Sequence, residues 1–143
     1  MDGESQRRTI LRRIGGSDLT SPVNPNIREE LIAKLKRSNE VAITVVGRSS
    51  GKKISTPVWF VLNNDDQVML VPMKGSNSNW FKNLEKHPQI ELSAGGKAIS
   101  SRATIMRDSN QVERILDGFR TKYRPMWSES YYSKRDVCAG IPV

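Results

Sequence analysis

VAITVV at residues 41–46, GRSSGKK at 47–53, ISTPVWFVL at 54–62 and NNDDQVMLVPM at 63–73 decide the fold of this chain. Residues 41–46 are rich in β-branched side chains, which suit a pleated, half-buried surface, and Gly47 closes the run. A polar turn around Gly51 leads to a second strand at 55–62. Asn63, Asn64, Asp65 and Asp66, all tolerant of tight backbone turns, reverse the chain into a third at 67–73. Strands joined this closely pair antiparallel, because a parallel neighbour needs a crossover of a dozen or more residues.

Working outward, Asn24 is placed as an N-cap with Pro25 at the first helical position, and Ile27, Leu31, Ile32 and Leu35 form one stripe of a helix ending near Ser38. After Gly75, the capping residues Ser76, Asn77, Ser78 and Asn79 precede Trp80, Phe81 and Leu84 at helical spacing, and His87-Pro88 stops that short helix. Residues 89–93 and 97–106 read as a hairpin around Ala94, Gly95 and Gly96. Asp108 or Ser109 caps a longer helix carrying Val112, Ile115, Leu116, Phe119 and Tyr123 on one face, and Pro125 ends it. Residues 137–143 make a last strand. The expectation is an α+β fold, mainly antiparallel, whose six strands curl into a barrel to remove their edges, with flanking helices. Residues 1–22 read as a flexible basic arm and 23–143 as a single domain.

The 143 residues can bury a core without disulfides or metals. No apolar run approaches the roughly 20 residues needed to cross a bilayer, and residues 1–13 lack the apolar segment of a secretory signal. Cys138 is the only cysteine, so a cytoplasmic setting is expected. The net charge of +8 either answers an anionic partner or serves solubility. It gathers at Arg7, Arg8, Arg12 and Arg13, at Lys34, Lys36 and Arg37, and at Arg48, Lys52 and Lys53. No zinc-ligand spacing, RNA-binding aromatic motif or helix-turn-helix accompanies it, which argues against nucleic acid without removing a nucleic-acid-binding barrel as a rival. A phosphorylated small ligand suits the third cluster equally well.

Hydrolytic chemistry is poorly supplied. One histidine, His87, and one cysteine make neither a metal cluster nor a nucleophile–base pair, and the acidic residues are scattered. Redox chemistry remains open, since a cofactor brings its own reactive atom. The turn 47–53 offers hydroxyls, backbone N–H groups and three cations; it is either a phosphate cradle or a solvated hairpin turn. Pro57 removes a ladder donor, which marks a plain edge strand or a bulge whose free backbone meets a flat polar ring. Lys74 and Gly75, with Asn79, Trp80 and Asn83, open the short helix; Trp80 covers a ring or anchors the core. Tyr123, Tyr131 and Tyr132 bring polar-tipped aromatics to the stretch after the long helix, where they either face a planar substrate or cover the barrel mouth.

Together these segments resemble the deazaflavin-dependent nitroreductase family, within the pyridoxamine phosphate oxidase-like split-barrel group. The resemblance rests on Gly47 to Lys52 with Thr56-Pro57-Val58-Trp59-Phe60, on Val71-Pro72-Met73-Lys74-Gly75, on Trp80 with Asn83-Leu84, and on His87-Pro88. It implies a six-stranded split barrel that binds 8-hydroxy-5-deazaflavin (coenzyme F420), or alternatively FMN, and passes a hydride to a small quinone, nitro compound or enone. A carrier that holds the coenzyme without turnover is the alternative. By position, Arg48, Ser50, Gly51, Lys52 and Lys53 would hold the coenzyme phosphate, and Thr56, Pro57 and Val58 would line its ring. Lys74, Gly75, Trp80 and Asn83 would complete the pocket, and Tyr123, Tyr131 and Tyr132 would serve the substrate. Ile54 stands where many relatives carry arginine, and the loop between Gly75 and Trp80 is shorter than in the nitroreductases. That loop is more similar to the FMN-binding and dimeric branches, and relatives in this group often complete the site across a two-fold interface, so the resemblance implies a homodimer; the lack of a long apolar run implies no membrane attachment.

Overall fold

The computed structural model describes residues 25–64 and 66–143. The arm expected over 1–22 and the Asn24 cap lie outside the described residues. Helix α1, Pro25–Leu35, buries Leu31 and Leu35. Strand β1, Val41–Val46, follows with Val41, Ile43 and Val45 facing inward and the residues between them half-buried, the period of two that its β-branched composition implies. It pairs antiparallel with β2, Lys53–Val58, from Val41 opposite Val58 to Val46 opposite Lys53. The chain then breaks step at Trp59 and Phe60 and resumes as β3, Val61–Asn63, which pairs with β4, Gln67–Leu70.

A 3-10 turn at Gly75–Asn77 leads into α2, Asn79–Lys86. The hairpin of β5, Gln89–Ala94, and β6, Lys97–Arg102, continues into β7, Thr104–Met106. Helix α3, Ser109–Lys122, starts at Asp108, whose carboxylate accepts from the Asn110 N–H. Two short 3-10 turns carry the chain to β8, Cys138–Pro142. The ladders make two four-stranded antiparallel sheets, ordered β2-β1-β5-β6 and β3-β4-β8-β7.

The α+β class and the antiparallel pairing agree with the sequence. The ladders differ from the expected single barrel of six strands: two of the six chain passes are interrupted, so eight strands form two sheets, and no ladder among the described residues closes them into a barrel. The two interruptions differ in their hydrogen bonding. At the first, the Phe60 N–H donates to the Tyr123 hydroxyl at 3.0 Å and the Phe60 carbonyl accepts from Lys122 Nζ at 2.9 Å, so side chains from the end of α3 replace strand partners. At the second, the Ala103 N–H donates to the Pro88 carbonyl at 2.9 Å, one step beyond the Gln89–Arg102 pair, so the β5–β6 register runs on into the bend before β7. Buried backbone groups need partners, and at Phe60 they come from outside the ladder.

Two apolar clusters result. One gathers Leu31, Leu35, Ile43, Phe60, Leu92 and Ile141 between the sheets and α1. The other gathers Val112, Leu116, Phe119, Tyr123, Tyr132 and Cys138 under α3. Cys138 is buried, as its apolar strand implies, and burial pushes its thiol up to about 11.

Candidate active site

The polar turn between β1 and β2 is held by its own backbone. The Gly51 N–H donates to the Gly47 carbonyl at 2.9 Å, and the Gly47 N–H donates to the Lys52 carbonyl at 2.8 Å. Gly51 sits at φ +72°, a conformation that costs glycine little. The Lys52 N–H donates to Ser50 Oγ at 3.1 Å, which leaves the Ser50 hydroxyl proton to be given outward.

Arg48 folds back from this turn onto α2. Its N–H and its Nη1 both donate to Asn83 Oδ1, at 3.0 and 2.8 Å, and Nη1 and Nη2 reach the Asn79 carbonyl and Oδ1 at 3.4 and 3.5 Å. Helix α2 can present both amides because its apolar residues Phe81 and Leu84 turn into the core while Asn79 and Asn83, four residues apart, share a face toward β1 and β2. Between turn and helix lies a cavity of about 460 Å³, walled by Arg48, Ser49 and Ser50 on one side and Asn79, Trp80 and Asn83 on the other. Ile43, Val45, Ile54 and Thr56 complete its lining.

A second cavity of about 420 Å³ shares Thr56, Asn79 and Trp80 with the first. It runs along Pro57, Val58 and Trp59 to Met73, Lys74 and Tyr132, with Glu40 at its wall. Its Lys74–Ser78 corner is braced from beneath. The Lys74 N–H donates to Ser78 Oγ at 3.0 Å, and Asp136 accepts from the Ser76 N–H at 3.0 Å and from the Ser76 hydroxyl at 2.6 Å. Burial pushes the Asp136 carboxyl up, but the two Ser76 bonds, with its own backbone N–H and the Lys134 charge, outweigh it and hold the group below the usual carboxylate range.

The expected site residues separate into three groups. Arg48, Ser50, Thr56, Trp80 and Asn83 line the first cavity; Thr56, Pro57, Val58, Lys74, Trp80 and Tyr132 line the second. Gly51, Lys52 and Lys53 are exposed and lie off the walls of both. Gly75 is buried at φ +57°, and a Cβ there would run into the Asp136 carboxylate and the Lys134 carbonyl, so its place is under the corner rather than in the cavity. Tyr123 is wholly buried, its ring stacked on Trp59 with centroids 4.1 Å apart and its hydroxyl 2.7 Å from the Asn39 carbonyl. With the Phe60 N–H donated to it as well, that hydroxyl is fully occupied, and Tyr123 lies off both cavities. Burial pushes its phenol up to about 12. Tyr131 is exposed and meets Trp59 edge-on at 5.8 Å. Tyr132 is buried against Trp127, stacked at 5.4 Å, and burial pushes its phenol up as well.

The sequence reading missed Trp59, Met73 and Glu40 on the second cavity, and the bracing pair Ser76 and Asp136. The spacing of Asn79 and Asn83 was a readable signal; the 60 residues between Ser76 and Asp136 left none. Among the described residues no group of three or more His, Cys, Asp or Glu could hold a metal ion, and no helix is long and apolar enough to cross a membrane.

The model of the F420H(2)-dependent quinone reductase family matches residues 26–143. No curated protein matches the chain. Among solved structures, an F420-H2 dependent reductase, FDR-A, is 21% identical at a TM-score of 0.57, covering 72% of this chain and 93% of that one. A structure described as a domain-swapped dimer is 20% identical at 0.58, covering 82% and 99%. The general stress protein 26 of Bacillus anthracis is 14% identical at 0.58, covering 81% and 88%. At these identities the structures speak to the fold, whereas the family model spans nearly the whole described chain. The chain belongs to the F420H(2)-dependent quinone reductase family, a family of coenzyme-dependent oxidoreductases.

Proposed function

We propose that this chain binds reduced coenzyme F420 along its two joined cavities and delivers a hydride to a small oxidised substrate of the quinone, nitro or enone class. The observation that carries this reading is the junction at Thr56, Asn79 and Trp80, which links a cavity edged by a cation and hydroxyls to one walled by aromatic and apolar side chains. A coenzyme with an anionic tail and a planar ring needs both environments side by side. The donor set fits the tail: Arg48 is held by neutral acceptors and the Ser50 hydroxyl is free to donate. Pro57 and Val58, with Trp80, would hold the ring, and Lys74 would close its polar edge.

When bound, the reduced deazaflavin supplies the hydride. The chain's own part is to orient the ring, exclude water with Trp59 and Trp80, and present Tyr132 and the neighbouring Tyr131 on the substrate side. In this reading the two sheets, continuous through the bends at Phe60 and Ala103, are the halves of a six-stranded split barrel, and the protein works as a homodimer.

The test is an absorbance and fluorescence titration with F420 and, separately, with FMN, followed by single-turnover mixing of the reduced complex with a soluble quinone. Saturable F420 binding and oxidation on mixing are expected. Saturable binding with no oxidation by any acceptor would make the protein a carrier. No binding of either coenzyme, with DNA bound on a steep salt slope, would favour the nucleic-acid rival.

A further inference from the structure

We propose that Asn83 is a positioning residue that keeps Arg48 aimed at the first cavity while leaving its charge uncancelled, so that the cavity selects an anionic coenzyme tail. This rests on the F420 reading above. Asn83 is only 5% exposed, yet its side chain is polar and sits on the helix face turned toward β1 and β2. Its Oδ1 accepts twice from the same residue, once from the Arg48 backbone and once from the guanidinium. The first bond fixes where the turn starts and the second fixes where the side chain points.

The remaining acceptors of Arg48 are the carbonyl and amide oxygen of Asn79. None carries a formal charge, and among the described residues no carboxylate pairs with Arg48. Other well-anchored arginines in this molecule behave differently: Arg120 is held by Asp117, Glu113 and Glu129, and Arg135 by Glu129 and Glu113. An arginine needed only to tie a turn to a helix is served at least as well by a carboxylate, which makes stronger charge-assisted bonds. Amide anchoring preserves the same geometry and leaves a full positive charge at the cavity wall. A buried carboxylate at position 83 would pair with Arg48 and return that wall to neutrality.

The distinguishing variant is therefore Asn83→Asp, which keeps the shape and both acceptor contacts. Because a buried carboxylate can disturb folding, the exposed Asn79→Asp serves as the second variant, and thermal unfolding is recorded for both. Binding is measured with F420 and with the same deazaflavin lacking its phosphate-bearing tail. Expected is a loss of F420 affinity of about tenfold or more in each folded variant, the size of a lost charge-assisted contact. In Asn83→Asp, at a residue off the second cavity, the tail-less chromophore should bind within about twofold of wild type, since it makes no such contact. The salt dependence of F420 affinity should also flatten, which a purely structural role for Asn83 would not produce. Unchanged F420 affinity in the folded variants, or an equal loss for both compounds in Asn83→Asp, would overturn the inference. Wild-type protein that binds neither compound would instead overturn the F420 reading on which it rests.

Discussion

Lys122 and Tyr123 sit at the end of α3 and between them hold the bend at Phe60. The Lys122 ammonium donates to the Phe60 carbonyl and lies 3.4 Å from the centre of the Phe60 ring, and burial lowers its ordinary value of 10.5 to about 8. A lysine lowered on folding binds fewer protons in the folded state than in the unfolded one across that interval, so stability rises with pH from about 8 toward 10.5. Above about 9 the buried Cys138 thiol opposes this, because its folded value is raised to about 11 and its contribution is lost as pH climbs. The wild-type minus Lys122→Met difference in urea stability should therefore grow between pH 7.5 and 10 in favour of wild type; a flat difference would show that Lys122 is not burdened by burial. Tyr123→Phe leaves the Phe60 N–H without its partner, so a loss of about 1–3 kcal/mol is expected. Denaturant titration measures it directly, and a neutral effect would mean that water or a shifted strand replaces the hydroxyl.

At the scale of elements, the stretch from residue 124 to 135 is a strap fastened to α3. Glu129 accepts from Arg120 Nε at 2.8 Å and from Arg135 Nη2 at 2.7 Å, and the Trp127 indole N–H donates to it as well. The bond from Arg120, then that from Trp127, pull its carboxyl down to about 2, although the side chain is 54% exposed. Exposed ion pairs contribute little to global stability; their effect here is local, on where Tyr131 and Tyr132 stand. Glu129→Ala should raise amide exchange in the strap and lower kcat/KM for the acceptor, while F420 affinity stays at the wild-type value. Tyr132→Phe, which keeps the ring stacked on Trp127 but removes the hydroxyl, should lower single-turnover reduction with coenzyme affinity unchanged. If both variants match wild type in turnover, the strap only covers the second core cluster.

For the whole molecule, the +8 charge and the proposed dimer are the properties to measure. Light scattering at assay concentration should give twice the chain mass of 16.1 kDa; a monomer that still binds F420 and turns over would dispose of the dimer. Arg48→Ala should weaken F420 more than the Lys52→Ala, Lys53→Ala double substitution, because only Arg48 stands on the cavity wall. The reverse ranking would move the anion site out to the exposed end of the turn.

Local chemistry alone determined most of the elements. The β-branched run at 41–46, the Asp108 cap and the helical stripes of α1 and α3 are properties of neighbouring residues, and β1 and α3 stand where that reading put them. That Arg48, Trp80 and Asn83 would share a pocket followed from the family resemblance rather than from local chemistry, and all three line the first cavity. What only the tertiary structure decided is where strands break and which polar groups are already taken. Phe60 leaves its ladder because Lys122 and Tyr123, more than 60 residues later, satisfy its backbone. Gly75 leaves the cavity wall because Asp136 and Lys134 close over it. A hydroxyl or glycine offers the same chemistry wherever it lies in the chain; whether that chemistry is free for a ligand depends on distant partners, and local sequence holds no record of them.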